Sequence, residues 1–249
     1  MDDLNKPENG VDSPAASGLG PLANNSRKGS AWRQSRWLAF VEFAIVGLVF
    51  VADHYHFIPL SKTPFLLLIG WISLRIRQIP WSAVGFTLNR SWARTLIFGI
   101  AGGLILELFQ LFVTQPLLTR LTGKQPDLSD FQSFHGNIKY CLLGLVFAWT
   151  FAAFGEELVW RGYLMNRAAG LLCGTRAAWI CSLVLVNAVF GCAHSYQGLT
   201  GILEEALAGL FLGLMYLRSG KNLAVPILAH GVSDTLDVVL MFFGKMPGA

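Results

Sequence analysis

Residues 140–165 read YCLLGLVFAWTFAAFGEELVWRGYLM, and this stretch gives the clearest indication of the protein's architecture. The sixteen positions from Tyr140 to Gly155 contain no charged side chain, and two adjacent carboxylates, Glu156 and Glu157, follow at once. An apolar segment of this length is too long for an ordinary strand, and in lipid it can satisfy its backbone polar groups only as a helix. The stretch therefore predicts a membrane-spanning helix that carries buried charge.

Six other apolar runs, separated by short polar breaks, occur along the chain. The composition agrees with membrane residence, because 53% of the residues are hydrophobic and only 14% are charged. We expect an all-α, polytopic transmembrane helix bundle of about seven spans. The predicted spans are Trp37 to Ala52, Phe57 to Leu74, Thr95 to Leu118, Tyr140 to Phe154 and somewhat beyond, Ala177 to Ala193, Leu199 to Leu217, and Leu223 to Phe243.

The basic residues indicate the orientation of the chain in the membrane. The net charge of +4 would suit a nucleic-acid binder, but a cytoplasmic N-terminus places 14 of the 19 Lys and Arg residues on the cytoplasmic side. This asymmetry favours a multi-pass integral membrane protein with the lipid bilayer, and no nucleic acid, as its partner. The short loops further suggest the cytoplasmic membrane of a prokaryote.

The chain divides into two regions. Residues 1–36 are rich in Pro, Gly, Ser and Asn and contain no apolar run, so we predict a disordered cytoplasmic tail. Residues 37–249 form the predicted transmembrane helical domain. Four cysteines without C-x-x-C spacing are expected to be small core residues rather than disulfide or zinc ligands: Cys141, Cys173, Cys181 and Cys192.

The strongest polar cluster is the run from Gly155 to Gly162. Adjacent side chains on a helix point about 100° apart, so Glu156 and Glu157 are expected to serve different purposes. Glu157 and Arg161 are four residues apart and share a face, where the guanidinium can neutralise the second carboxylate. Glu156 is then free to project into the bundle as a general base. The alternative is a salt bridge at the end of a helix.

Two further pairs of side chains, each four residues apart, occur in later spans. Phe190 and His194 share a helix face, which would allow the ring to form the wall of a pocket that the imidazole enters. His230 and Asp234 share a face of the last span, where they could fix a tautomer, bind a metal or polarise a carbonyl. Separately, these pairs could be an interfacial histidine and a polar contact between helices. Because all three clusters lie in the C-terminal half, we expect one shared site.

The order and spacing of these motifs resemble the CAAX protease and bacteriocin-processing family of intramembrane proteases, also called CPBP or ABI. Type II CAAX prenyl endopeptidases belong to this family. The resemblance covers about Phe147 to Thr235 and rests on Glu156-Glu157-x-x-x-Arg161, Phe190-x-x-x-His194 and His230-x-x-x-Asp234. It implies an endopeptidase that hydrolyses peptide bonds near the membrane, with a protein or peptide substrate that can be lipidated.

The resemblance also implies roles for the residues. Glu156 would activate water with the help of His194, and His230 and Asp234 would bind or polarise the scissile carbonyl. Glu157 and Arg161, with Phe190, would order the site. No cofactor is firmly predicted, but a divalent metal such as zinc remains open, with Glu156, His194, His230 and Asp234 as candidate ligands. The alternative function is a non-catalytic membrane protein, either a transporter or a pseudoenzyme scaffold, that uses the same cluster for binding.

Two expectations concern the geometry of the site. Counting along the predicted spans places His194 about 10 to 15 Å deeper than Glu156 and His230, so a single site requires a different end for the fifth span. Acidic residues in other spans are predicted to lie outside the chemistry. Glu204 and Glu205 lack the following arginine, and Glu107 is expected to form a hydrogen bond between helices.

Overall fold

The computed structural model describes residues 32–58, 61–86 and 91–248. Within these ranges the chain folds into helices joined by short turns, without strands. The long helices are numbered in chain order, and α3 and α4 each include wide π-helical turns. Their bounds are α1 Arg36–His54, α2 Thr63–Arg77, α3 Trp92–Thr122, α4 Ile138–Leu171, α5 Arg176–Cys192, α6 Gly198–Arg218 and α7 Ala224–Phe242.

Five of these helices are long and apolar enough to cross a membrane: α1, α3, α4, α6 with its preceding turn, and α7. The other two are shorter, with 15 residues in α2 and 17 in α5. At 1.5 Å per residue they extend about 22 to 26 Å, less than the ~30 Å hydrocarbon core. The all-helical transmembrane prediction is therefore confirmed, whereas the count of seven spans is not.

Several helices begin directly after a polar capping residue. Ser35, Asn137 and Thr175 precede α1, α4 and α5, and the side chain of each accepts a hydrogen bond from a backbone N–H of the first turn. This is the usual way to satisfy the free amides at a helix start. These polar caps therefore mark where the apolar helices begin.

Glycines allow the central helices to approach closely. Helix α3 packs along α7, and α5 packs along α6. A Cβ atom added at Gly99 would lie 2.5 Å from the Cβ atom of Leu228, and one at Gly103 would meet the carbonyl oxygen of Ala229. These close approaches fix α7 with its polar residues against α3.

The outer surface of the bundle is strongly apolar. Many large side chains point away from the protein, among them Phe112 at 73% exposure and Ile97 at 65%. Such a surface suits lipid rather than water. Cys173, Cys181 and Cys192 are also exposed, so the expectation that all four cysteines are core residues is wrong for three of them, and only Cys141 is buried.

Most of the predicted N-terminal tail, residues 1–31, lies outside the described residues. Trp32–Gln34 form a helical turn, and α1 begins at Arg36, the last residue of the predicted tail. The carbonyl oxygen of Arg33 accepts a hydrogen bond from Arg77, whose guanidinium is paired with buried Glu42. These contacts hold the start of α1 against the end of α2.

Candidate active site

Helix α4 places both glutamates of the first motif at the centre of the bundle. Wide π-helical turns run over Ala148–Glu156 and Leu158–Met165, with Glu157 between them. Such turns are rare and are often found at functional sites. The side chain of Glu157 is fully buried, whereas Glu156 is partly exposed to an internal cavity. The two adjacent carboxylates therefore have different environments, as their spacing predicts.

Arg161 forms a fully buried ion pair with Glu157. Its Nη1 donates to Glu157 Oε1 over 2.6 Å, and its Nη2 donates to Asn187 Oδ1 at 3.1 Å and to the carbonyl oxygen of Gly209 at 2.9 Å. The guanidinium also lies over the ring of Phe190, with its Cζ atom 4.9 Å from the ring centroid. Arg161 thus joins α4, α5 and α6.

His230 lies between two carboxylates. Its Nδ1 atom is 2.9 Å from Glu157 Oε1, and its Nε2 atom is 3.4 Å from Asp234 Oδ1. Carboxylates accept hydrogen bonds, so a doubly protonated ring satisfies both neighbours at once. The predicted contact between His230 and Asp234 is present. The contact between His230 and Glu157 was not predicted, and it connects the first motif to the third.

Glu156 forms no hydrogen bond or ion pair within the described part of the chain. Its Oε2 atom is buried and accepts no hydrogen bond from the described residues. The side chain lines the cavity together with His194, His230 and Asp234. A positioned carboxylate with a free oxygen can accept a proton from a water molecule or from a substrate.

His194 lies in a turn just after α5. Its Nδ1 atom is 2.9 Å from the carbonyl oxygen of Phe190, and the two rings are 4.7 Å apart. When Nδ1–H donates to this carbonyl, Nε2 keeps a lone pair that can accept a proton. Helix α5 ends at Cys192, so His194 is not part of a straight span, and it lines the same cavity as Glu156. The predicted difference in depth between His194 and Glu156 therefore does not prevent the two side chains from lining one cavity.

The cavity that joins these residues has a volume of about 560 Å³. One part of its wall is polar and contains the candidate catalytic side chains. Another part is apolar and extends toward the turn Ser129–Phe134 and the C-terminal segment. This apolar wall includes Leu111, Phe131, Phe134, Leu143, Phe147 and Phe151.

The four candidate metal ligands do not form a metal site. No group of three or more His, Cys, Asp or Glu side chains in the described ranges is arranged to hold a metal ion. Both ring nitrogens of His230 already face carboxylates, and Nδ1 of His194 faces a backbone carbonyl. A catalytic zinc ion needs about three protein ligands that converge on one point. The suggested metal thus does not fit the arrangement of these residues.

Several residues of the site were missed from the sequence. Asn187 is fully buried and accepts a hydrogen bond from Arg161. A single Asn inside an apolar span indicates a buried polar contact, so this residue could have been predicted from the sequence. Glu204 and Glu205, which the sequence predicts to lie outside the chemistry, line the cavity. Glu107 lines it too, and it accepts the predicted hydrogen bond between helices from Ser233 at 2.8 Å.

Comparison with known families agrees with the resemblance. A family model described as Type II CAAX prenyl endopeptidase Rce1-like matches residues 138–236, about two fifths of the chain. No curated protein and no solved structure matches the chain. The family match begins at the start of α4 and ends within α7, so it includes every residue of the three sequence motifs. Over residues 138–236 the chain is thus matched to the type II CAAX prenyl endopeptidase Rce1-like family.

Proposed function

We propose that this protein is an intramembrane endopeptidase in which Glu156 activates the attacking water. The observation that carries the proposal is the different bonding of the two adjacent glutamates. Oε1 of Glu157 is held by Arg161 and His230, whereas Glu156 forms no hydrogen bond with the described residues and lines the cavity, and Oε2 of each glutamate is buried without a donor there. The match to a prenyl endopeptidase family supports a hydrolytic role for this arrangement.

In the proposed reaction, Glu156 takes a proton from water as the hydroxide adds to the carbonyl carbon of the substrate peptide. The negative charge that develops on the carbonyl oxygen needs a donor. Protonated His230 can supply it from Nε2, because Glu157 holds the ring through Nδ1. Glu156 then returns the proton to the leaving nitrogen as the carbon–nitrogen bond breaks, which yields a carboxylic acid and an amine.

Four other residues of the motifs assist this step. His194 keeps Nε2 available for the water when Nδ1–H donates to the backbone. Asp234 lies against Nε2 of His230 and helps to orient the ring. Arg161 and Phe190 act as positioning residues, because they pack on one another and hold the carboxylate that orients His230.

The apolar wall of the cavity accounts for the substrate class in this proposal. A peptide bond near the polar wall would leave the adjoining part of the substrate against Phe131, Phe134 and Phe147. Such a wall stabilises an apolar side chain or an attached lipid by removing it from water. We therefore propose a protein or peptide substrate that is apolar or lipidated next to the cleaved bond.

Cleavage by the purified protein tests this function. In detergent or liposomes, the wild-type protein should hydrolyse peptides from an apolar library, and Glu156→Gln should lower kcat/KM by roughly 10³-fold because a general base is lost. Asp130→Asn, at an exposed carboxylate outside the cavity, serves as the matched control and should retain activity. Size-exclusion chromatography verifies that each variant is folded.

The non-catalytic alternative predicts another result. A transporter or a pseudoenzyme scaffold would bind a ligand at the same cluster, but the pure protein would release no peptide fragments. Absence of cleavage by folded wild-type protein across the library, or undiminished cleavage by Glu156→Gln, would overturn the proposed mechanism.

A further inference from the structure

A second group of carboxylates lies in the cavity, outside the proposed catalytic set. With Glu156 and Asp234, this group brings six carboxyl groups to one cavity. Among the described residues that line it there are two histidines but no lysine or arginine. The cavity is therefore strongly acidic. We call the additional group the acidic subsite, and it consists of Glu107 on α3, Glu204 and Glu205 on α6, and Asp237 on α7.

Glu107 is the most deeply buried carboxylate of the subsite, and one of its oxygens has no donor among the described residues. Its side chain is only 2% exposed, and its Oε2 atom accepts a hydrogen bond from Ser233. Its Oε1 atom is buried and has no donor among the described residues. Asp237 lies within hydrogen-bonding reach, but an ionised carboxylate has no proton to donate. These two carboxyl groups must therefore share a proton or receive a donor from a ligand.

The two glutamates of α6 are also poorly paired. Glu204 is buried at 7% exposure and accepts no hydrogen bond within the described part of the chain. Glu205 receives one long contact of 3.4 Å, from Nε2 of Gln197. Because the carboxylates of the subsite lie on α3, α6 and α7, a positive group bound in the cavity would face acidic side chains from more than one helix.

The chemistry of the subsite favours an organic cation. A metal ion does not suit it, because no group of three ligands in the described ranges is arranged for one. Lysine and arginine side chains carry three and five N–H donors respectively, which match carboxylates spread over several helices. The guanidinium of Arg161 is already bonded to Glu157, Asn187 and Gly209, and no lysine or arginine of the described residues lines the cavity. The cation is therefore expected to come from outside the protein.

The position of the subsite relates it to the substrate peptide. Asp237 follows Asp234 by three residues on α7, which corresponds to about 4.5 Å along the helix. An extended peptide advances about 3.3 to 3.6 Å per residue, so one or two residues span this distance. On the basis of the proposed peptidase function, we propose that the acidic subsite binds a lysine or arginine side chain of the substrate within two residues of the cleaved bond.

A peptide series tests this specificity. Peptides that differ only in having Lys, Arg, Met or Glu at each position near the cleaved bond are compared with the purified protein. The wild type should cleave the Lys and Arg peptides with a kcat/KM about tenfold or more above that of the Met peptide. The double variant Glu107→Gln/Asp237→Asn should bring this ratio close to one, whereas Asp130→Asn should keep it.

A binding measurement separates failure of the subsite from failure of the peptidase function. Fluorescence anisotropy with Glu156→Gln compares labelled Lys and Met peptides without turnover. A preference for Lys that depends on Glu107 and Asp237 supports the subsite even when no cleavage occurs. Equal cleavage and equal binding of the Lys and Met peptides overturn it. Should the double variant fail to fold, Glu205→Gln at a partly exposed position replaces it, with the same direction of change expected.

Discussion

The Nδ1 atom of His230 lies 2.9 Å from Oε1 of Glu157, the same oxygen to which Arg161 donates over 2.6 Å. One carboxylate oxygen therefore joins the first and third motifs of the chain, which are 73 residues apart. Because that oxygen has two donors, Glu157 is suited to hold His230 in position rather than to accept a proton. This contact is what distinguishes Glu157 from its neighbour Glu156.

Glu157→Gln and Glu156→Gln should consequently have different effects on stability. Glu157→Gln leaves the buried guanidinium of Arg161 without its counter-charge, so we expect a loss of about 3 to 5 kcal/mol in the free energy of unfolding. Glu156→Gln removes a carboxylate that forms no hydrogen bond or ion pair with the described residues, and the change should be below about 1 kcal/mol. Thermal unfolding in detergent measures both. Equal destabilisation by the two variants would contradict the division of roles.

Gly209 should be intolerant of even one methyl group. A Cβ atom at this position would lie 2.8 Å from Asn187 Oδ1, 2.9 Å from Phe190 Cδ1 and 3.3 Å from Arg161 Nη2. We expect Gly209→Ala to cost about 1 to 3 kcal/mol and to lower peptidase activity, because it displaces the residues that hold Glu157. Activity and thermal unfolding of the same preparation check this.

The control for Gly209 is Gly47 in α1, where an added Cβ meets nothing within 4 Å. Gly47→Ala should retain activity and gain up to about 1 kcal/mol, since alanine favours a helix interior more than glycine does. Similar losses in both variants would indicate that helix geometry in general, and not packing against Arg161, causes the effect.

The sequence predicts the helical fold and the motif pairs but not their mutual arrangement. Spacing of four residues is sufficient to bring Glu157 to Arg161 and His230 to Asp234, because helix geometry is local. The contact between Glu157 and His230 depends instead on how α4 packs against α7. The same limit explains why Glu204 and Glu205 were set aside, since no local pattern indicates that they face the cavity.

Peptidase activity should persist after removal of metal. The candidate ligands do not converge in the described structure, and His230 is engaged by carboxylates on both sides. We expect kcat/KM to change less than about twofold after dialysis against EDTA and 1,10-phenanthroline. A twofold change corresponds to well under the ~1.4 kcal/mol of a tenfold change in rate. Elemental analysis verifies that the dialysed protein is metal-free. Loss of activity that added zinc restores would show that a metal takes part.

The orientation of the chain is a further prediction, because the basic residues favour a cytoplasmic N-terminus. Arg36 at the start of α1 donates to Sγ of Cys173 over 3.3 Å, so this orientation places the turn between α4 and α5 in the cytoplasm and the turn Ser129–Phe134, at the other end of α4, on the opposite side. The exposed Cys173 and a Ser133→Cys substitution provide one label site in each turn, once the other cysteines are replaced by serine. In intact cells, a membrane-impermeant maleimide should label Ser133→Cys and leave Cys173 unlabelled until the membrane is permeabilised. The reverse pattern would place the N-terminus outside and the cavity on the cytoplasmic side, from which a substrate would then have to enter.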